Sequence, residues 1–371
     1  MKTAIVYDRV NKWGGAERVL LALHEIFPKA PLYTAVYSSK NAPWAGVFPK
    51  VIPSFLQNLP FTRTNHEFLG AFTPKAFELM DFSKFDLVIS VTSEAAKGII
   101  TEPDTSHICY CLTPTRYLWS GHDFYFKNPP KMFKKIPLFW QISRPFVKYL
   151  RKWDLKAAKR PDLIISISSE VKKRVKKYYE RDSKVLFPPV NTNFFSRDAI
   201  KSRKKGYYLL VGRLTPYKKA DLAVKAFNKL ELPLYVVGSG SEEKELKKIA
   251  KSNIKFIGYV DDVKLRKLYQ EAEALIFPQE EDFGIVAVEA QAAGTCVIAF
   301  DKGGARDMVI NRKTGILFKR QNAESLIDAV GKFQKIKFNR DYIIKEAKKY
   351  SKSRFKEEFK KVVLTKVKNL E

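Results

Sequence analysis

Cysteine is scarce. Three residues among 371 are too few for the disulfide framework of a small secreted domain. No Cys-x-x-Cys pair and no Cys/His cluster has the spacing of a zinc site. Cys109 and Cys111 alternate in one apolar run and Cys296 stands alone in another, so buried, reduced thiols are expected, which suits the cytoplasm. Acidic residues are in deficit, with 39 Asp and Glu against 68 Lys and Arg, a net charge of +29. A field of that sign draws polyanions: nucleic acid, anionic lipid or phosphorylated small molecules. Long apolar runs are absent. None approaches the ~18–20 residues of a membrane-spanning helix, and the opening run Thr3–Tyr7 reads as a first strand rather than a signal-peptide core. Any membrane contact is therefore expected to be peripheral.

What the chain does have is material for a core. An apolar content of 45% excludes disorder, and 371 residues exceed the usual single domain. Short apolar runs alternate with longer amphipathic segments. Strands are expected at Thr3–Tyr7, Leu32–Tyr37, Leu87–Val91, Ile108–Cys111, Leu163–Ile167 and Val185–Phe187, then at Tyr207–Val211, Leu234–Val237, Ile254–Val260, Ala274–Phe277, Cys296–Phe300 and Ile316–Phe318. This alternation predicts parallel sheets covered on both faces, built twice. A Pro/Asn connector and a basic stretch place the boundary within residues 188–206. The division expected is residues 1–190, residues 191–345, and a helical tail, 346–371, that returns toward the first domain. The fold class is α/β: two Rossmann-like domains facing across a cleft, with ligands at the carboxyl ends of the strands.

Three motifs carry chemistry. Trp13-Gly14-Gly15-Ala16-Glu17-Arg18 follows the first strand. Glycines there let backbone approach a ligand at a helix amino terminus, and a tight strand-to-helix turn accounts for them equally well. Arg213 and Lys218 follow the first strand of the second half. A planar fork and a mobile point charge suit a diphosphate, although in so basic a chain they also read as a solvated turn. The third motif, Glu281-Asp282-Phe283-Gly284-Ile285-Val286-Ala287-Val288-Glu289, joins a strand ending at Pro278 to a helix beginning near Gly284. The helix start offers amides to an anion. Glu289, set among Ala and Val, is expected to be at least partly buried and so to need a partner.

The ordered set Gly14-Gly15, Arg213 with Lys218, Gly258-Tyr259-Val260, Glu281 through Glu289, and Gly303-Gly304 resembles the retaining glycosyltransferases of family 4, of the GT-B fold. The stretches Glu281–Ala293 and Tyr110–Trp119 resemble mannosyltransferases of surface-polysaccharide assembly. The resemblance implies that Arg213 and Lys218 hold a donor diphosphate, with backbone at Gly14, Gly15, Gly284, Ile285 and Val286. Glu281 would bind the transferred hexose, Glu289 the ribose, and backbone at Val260 the base. Glu281, Arg213 and Lys218 form its catalytic set, and Thr113, Arg116 and Tyr117 its acceptor side. The implied activity is transfer of a hexose, mannose from GDP-mannose, to a lipid-linked or growing glycan. It needs no cofactor and no metal, since no Asp-x-Asp motif stands at a strand end and two cations can oppose the leaving charge. A UDP-hexose donor remains open. One departure is Leu112, where related sequences often carry histidine. Either His107 or His122 substitutes, or the reaction manages without. His107 reads as the start of a strand with no role, and Glu94 stands where related sequences often carry another polar residue and reads equally as plain surface.

Residues Phe124–Arg160 contain 11 cations and one acid, Asp154, interleaved with aromatics. This mixture suits an anionic bilayer, hence an expected location in the cytoplasm, peripheral at the inner face of the membrane. It equally suits a basic loop and a core helix. Two readings of another class stay open: a nucleic-acid-binding protein, supported by charge alone and without any recognised motif, and an inactive scaffold, supported by Leu112.

Overall fold

The computed structural model describes residues 1–59, 72–123, 139–199 and 204–367. The chain forms two units, residues Met1–Phe187 with Lys356–Glu371, and residues Pro188–Phe355.

In the first unit, seven strands among the described residues lie in the order β3-β2-β1-β4-β5-β6-β7. They are β1 (Thr3–Tyr7), β2 (Leu32–Thr34), β3 (Val51–Pro53), β4 (Leu87–Thr92), β5 (Ser106–Cys111), β6 (Leu163–Ser166) and β7 (Lys184–Val185). Every pairing is parallel. Strands β1, β4 and β5 are buried along their whole lengths, as covering on both faces requires. Among the described residues the α-helices of this unit are α1 (Gly15–Ile26), α2 (Thr73–Glu78), α3 (Phe139–Ala157) and α4 (Ser169–Tyr179). Helix α4 begins at a Ser168 cap whose hydroxyl accepts from the Val171 amide at 3.1 Å.

The second unit repeats the plan with six strands among the described residues, in the order β10-β9-β8-β11-β12-β13, all parallel. These are β8 (Tyr208–Val211), β9 (Leu234–Val237), β10 (Ile254–Gly258), β11 (Ala274–Phe277), β12 (Cys296–Phe300) and β13 (Gly315–Phe318). Its helices are α5 (Thr192–Ser196), α6 (Ala220–Leu230), α7 (Glu243–Ile249), α8 (Asp262–Glu271), α9 (Ile285–Ala292), α10 (Ala305–Met308), α11 (Ala323–Gln334) and α12 (Arg340–Ala347). Its largest core cluster gathers Leu210, Val236, Ile276 and Ile298, in register on one face of the sheet, with Phe227 of α6 and Leu326 of α11. In each sheet the strand order reverses next to the first strand of the unit, at β1/β4 and at β8/β11. Such switch points open a crevice at the carboxyl ends of the strands.

Several expected boundaries move. The first unit ends at Phe187 rather than 190, because Val190 already pairs with Ser351 of the second unit. The second unit runs to Phe355 rather than 345, because the Tyr350 hydroxyl donates to the Asp307 carbonyl at 2.5 Å and its ring packs near Phe283. Strand β2 stops at Thr34 instead of Tyr37, and β10 stops at Gly258, whose φ of +75° turns the chain before Val260. Strand β3 has no counterpart in the expected set. The last helix, α13 (Lys352–Leu364), places Phe359 in the core of the first unit, fully buried near the rings of Phe27 and Tyr110. Lys356 there pairs with Glu25 at 3.1 Å. Phe359→Ala removes a buried aromatic, so it is expected to destabilise the first unit by about 3–5 kcal/mol, measured as a lower urea midpoint.

Candidate functional site

The second unit builds its candidate site from the loops that leave β8, β11 and β12. After β8 the chain bends at Gly212 and runs beside the end of β9, with the Gly212 amide on the Val237 carbonyl at 3.0 Å and the Leu214 amide on the Ser239 carbonyl at 2.9 Å. The approach is so close that a Cβ on Gly238 would lie 2.1 Å from the Gly212 carbonyl oxygen, and one on Gly240 would lie 2.3 Å from that of Leu214. This loop carries Arg213, exposed, with its guanidinium donating to the Tyr217 hydroxyl at 3.0 Å. A single 3-10 turn, Pro216–Lys218, then sets Lys218 with its ammonium 5.2 Å from the centre of the Tyr217 ring.

After β11 the chain passes Glu281 and reaches Gly284, whose φ is +116° and where a Cβ would lie 2.7 Å from the Phe277 ring. Helix α9 starts there with Ile285 and Val286, whose amides precede the first full helical turn. The loop after β12 abuts this segment. The Gly304 amide donates to the Glu281 carbonyl at 2.8 Å, and Cβ atoms on Gly303 and Gly304 would lie 2.3 Å from the carbonyl oxygens of Glu281 and Phe283. Gly303 and Gly304 thus let two loops meet backbone to backbone.

The outcome is that Lys218 and Glu281, 63 positions apart, form an ion pair. Both side chains are mostly buried, at 21% and 16% exposure, and they come from the two loops that flank the β8/β11 switch point. Glu289 does not join them. It lies inside α9 at 1% exposure, accepting from the Tyr269 hydroxyl of α8 at 3.2 Å. Val260 is buried just before Asp261, which caps α8 by accepting from the Lys264 amide at 2.7 Å, while neighbouring Tyr259 is 87% exposed. Gly14 and Gly15 stand in the first unit at the start of α1, where the buried Glu17 accepts from the Tyr7 hydroxyl at 2.8 Å. Among the described residues no group of three His, Cys, Asp or Glu is placed to hold a metal ion.

The first unit has a polar cluster at its own switch point that the sequence reading missed. Asp8, directly after β1, is buried and accepts from the amides of Ser93, Glu94, Ala95 and Ala96 and from the Thr92 hydroxyl, at 2.7–3.1 Å. Beside it Arg9 pairs with Glu94 at 2.5 Å, each about one-fifth exposed, so Glu94 is not the plain surface position expected. Burial raises the Glu94 pKa above the usual carboxylate range, Arg9 opposes that rise, and Asp8 adds to it. The signal was available: an acid immediately after a strand that ends at a switch point. The loop expected on the acceptor side, Thr113 to Trp119, leaves β5 at the same end of the sheet. The Thr113 hydroxyl is buried there without a hydrogen-bond partner among the described residues, while Arg116 and Tyr117 are partly exposed.

Neither histidine stands at Leu112. His107 lies inside β5, fully buried, its Nε2 2.8 Å from the Ser90 hydroxyl. The Nδ1 atom of His122 is 3.1 Å from the Tyr117 carbonyl. Burial pushes the His107 pKa down to about 3, so the ring stays neutral at pH 7.

Two parallel-sheet units with a reversed strand order in each form the doubly wound α/β arrangement of the GT-B fold. Residues 192–350 match the family model described as glycosyl transferases group 1. An uncharacterized glycosyltransferase of Methanocaldococcus jannaschii is 32% identical over 151 residues, 38% of this chain and 39% of the relative. The O-antigen chain mannosyltransferase RfbU of Salmonella typhimurium is 27% identical over 215 residues, 52% of this chain and 58% of the relative. The chain thus spans about half the length of these two relatives. Anabaena HepE, solved in complex with UDP, superimposes with a TM-score of 0.72 over 98% of this chain and all of its own, at 17% identity. That likeness carries the GT-B fold.

The buried neutral His107 makes stability depend on pH. Its folded pKa lies below the unfolded value of 6.5, so its contribution is complete above pH 6.5 and is lost as pH falls toward 3. At pH 4.5 the loss is roughly 2–3 kcal/mol. Urea midpoints at pH 7.5 and 4.5 should diverge more for the wild type than for His107→Gln.

Proposed function

We propose that this protein is a retaining glycosyltransferase that moves mannose from GDP-mannose to a lipid-linked or growing glycan at an anionic membrane surface. The observation that carries the reading is the meeting of Lys218 and Glu281 across the β8/β11 switch point, next to the amide-bearing start of α9. In a parallel sheet this is where an anionic ligand sits. The donor diphosphate then lies against Lys218, Arg213 and the amides of Gly284, Ile285 and Val286. Glu281 accepts from hydroxyls of the transferred hexose and shares Lys218 with the phosphate. Backbone at Val260 reads the base, and Glu289 reaches the ribose once its bond from Tyr269 is exchanged for one from the sugar.

In the proposed reaction the anomeric C–O bond to the diphosphate breaks as the acceptor oxygen bonds to the same face of the anomeric carbon. The acceptor proton passes to the departing phosphate oxygen. Lys218 and Arg213 oppose the charge that builds on that diphosphate, so no metal is invoked. The acceptor is assigned to the first unit, at the loop carrying Thr113, Arg116 and Tyr117. Mannose is favoured by the likeness to RfbU. The second reading, a UDP-hexose donor, is favoured by the UDP bound to Anabaena HepE.

A thermal-shift screen with GDP, UDP and ADP chooses the donor, because a nucleotide that binds only the folded state raises its melting temperature. GDP is expected to give the largest rise, and a larger rise with UDP selects the second reading. Arg213→Ala is expected to lower turnover about 100-fold at an unchanged melting temperature. Glu289→Ala removes a charged acceptor worth about 1.5–3 kcal/mol, so the donor Kd should rise about 10- to 150-fold. Wild-type donor affinity in a folded Glu289→Ala protein removes the ribose role.

The membrane part of the proposal rests on α3. Its described side chains divide cleanly, with Leu150, Asp154 and Ala157 inward and Arg144, Lys148, Lys152 and Lys156 outward. Phe146 and Tyr149 flank that basic ridge at 55% and 50% exposure. Cations with aromatic anchors fit an anionic bilayer surface, placing the protein peripherally at the inner face of the cytoplasmic membrane. The basic positions Lys131, Lys134 and Lys135 lie outside the described residues. Among the described residues no helix is long and apolar enough to cross a membrane. Each cation near the surface contributes about 1 kcal/mol, so Lys148→Glu, Lys152→Glu and Lys156→Glu together should weaken binding to anionic vesicles at least 100-fold and leave donor hydrolysis intact. Wild-type protein that ignores such vesicles at low salt overturns the membrane assignment.

A further inference from the structure

Helix α3 carries one acid among its cations, and that acid faces the opposite way from them. Asp154 is 1% exposed. Its Oδ1 receives Lys97 Nζ at 2.5 Å and the Thr115 hydroxyl at 2.9 Å, and its Oδ2 receives Trp119 Nε1 at 2.7 Å and the Tyr179 hydroxyl at 2.8 Å. Four donors on two oxygens leave the carboxylate fully used, which a buried charge requires. Two of these donors, Thr115 and Trp119, belong to the loop that leaves β5. Tyr179 adds a third tie, because its hydroxyl also takes the Thr115 amide at 3.3 Å.

The same helix grips the same loop one turn earlier. Arg151 donates from Nε to the Leu118 carbonyl at 2.8 Å and lies 5.5 Å from the centre of the Trp119 ring. The same ring stacks on Tyr178 at 5.4 Å. The loop residues held in this way, Thr115, Leu118 and Trp119, interleave with Arg116 and Tyr117, which remain partly exposed, and follow Thr113, whose buried hydroxyl has no hydrogen-bond partner among the described residues. Anchored and presenting positions interleave. A loop built so keeps its presenting side chains in place through the anchors.

We infer that Asp154 is a positioning residue for acceptor binding: through Thr115 and Trp119 it fixes the loop that presents Thr113, Arg116 and Tyr117 to the acceptor. The inference rests on the proposed transferase reading. It adds that the helix offering its basic face outward also sets acceptor affinity from its inner face, through a single carboxylate.

The test compares Asp154→Asn, Thr115→Val and Thr115→Ser in the full-length protein. Two readouts are taken: amide hydrogen exchange across residues 113–119, and steady-state transfer with separate acceptor KM and kcat. Asp154→Asn and Thr115→Val are expected to speed exchange in the loop at least tenfold and to raise acceptor KM at least tenfold. Donor hydrolysis should hold at the wild-type rate, and Thr115→Ser, which keeps the hydroxyl, should behave as wild type. If Asp154→Asn does not fold, Thr115→Val, which leaves the Lys97 pair intact, decides. A folded variant with a lower melting temperature but wild-type exchange and acceptor KM overturns the inference, because Asp154 then serves stability alone. A wild-type protein with no transfer or donor hydrolysis at all sinks the transferase reading, while loop exchange still reports whether Asp154 holds the loop.

Discussion

Backbone must meet backbone at the carboxyl end of the second sheet, and everything chemical in that unit depends on it. Gly303 and Gly304 bring the loop after β12 onto the carbonyls of Glu281 and Phe283, and Gly238 and Gly240 do the same for the loop after β8. A side chain at any of these four points would meet a facing carbonyl oxygen at 2.1–2.3 Å and force the loops apart. With the loops closed, Lys218 and Glu281 are delivered to one place, and the strand order ensures that this place is the mouth of a crevice. The glycines are therefore a geometric condition on the charges, and their own contact with a ligand is not needed to explain them.

The first unit solves a different problem, that of keeping charge inside. Asp8 is satisfied by backbone amides of one turn, and Asp154 by side chains from three segments. Burial alone would hold Lys97 below the usual lysine range, but the Asp154 carboxylate outweighs it and the ammonium stays charged. His107 takes the other course and gives up its proton. Removing one member of such a pair leaves its partner buried and alone, which costs far more than the pair contributes. Polar specificity in this unit thus rests on complete sets rather than on single residues.

Much of this was legible in the sequence, for physical reasons that also mark the limits. Central parallel strands announce themselves because both faces are buried, so β1, β9, β11 and β12 were read to the residue. Strand β3 was not, since three residues ending in proline carry no pattern at the edge of a sheet. Helix α3 was obscured by its cations, whose long stems cover one face while only a sparse set, such as Leu150 and Ala157, faces inward. Glu289 was correctly expected to be buried, since an acid among Ala and Val has nowhere else to point. Its tie to Tyr269 joins two helices and leaves no mark in local spacing. Asp154 was visible as the lone acid of a basic run, yet its partners lie 25 to 57 positions away, and only the fold supplies them.

The return of the last helix to the first unit sets an order of events during synthesis. The chain leaves that unit at Phe187 and re-enters it only at Lys356. Phe359, with no exposed surface in the folded protein, emerges from the ribosome only after the second unit. The earlier unit must therefore wait with an open place near Phe27 and Tyr110 while the whole second unit is made and folds. Unit two is a continuous segment and completes itself on the way. The amino-terminal unit, though older by half a chain, closes its core last.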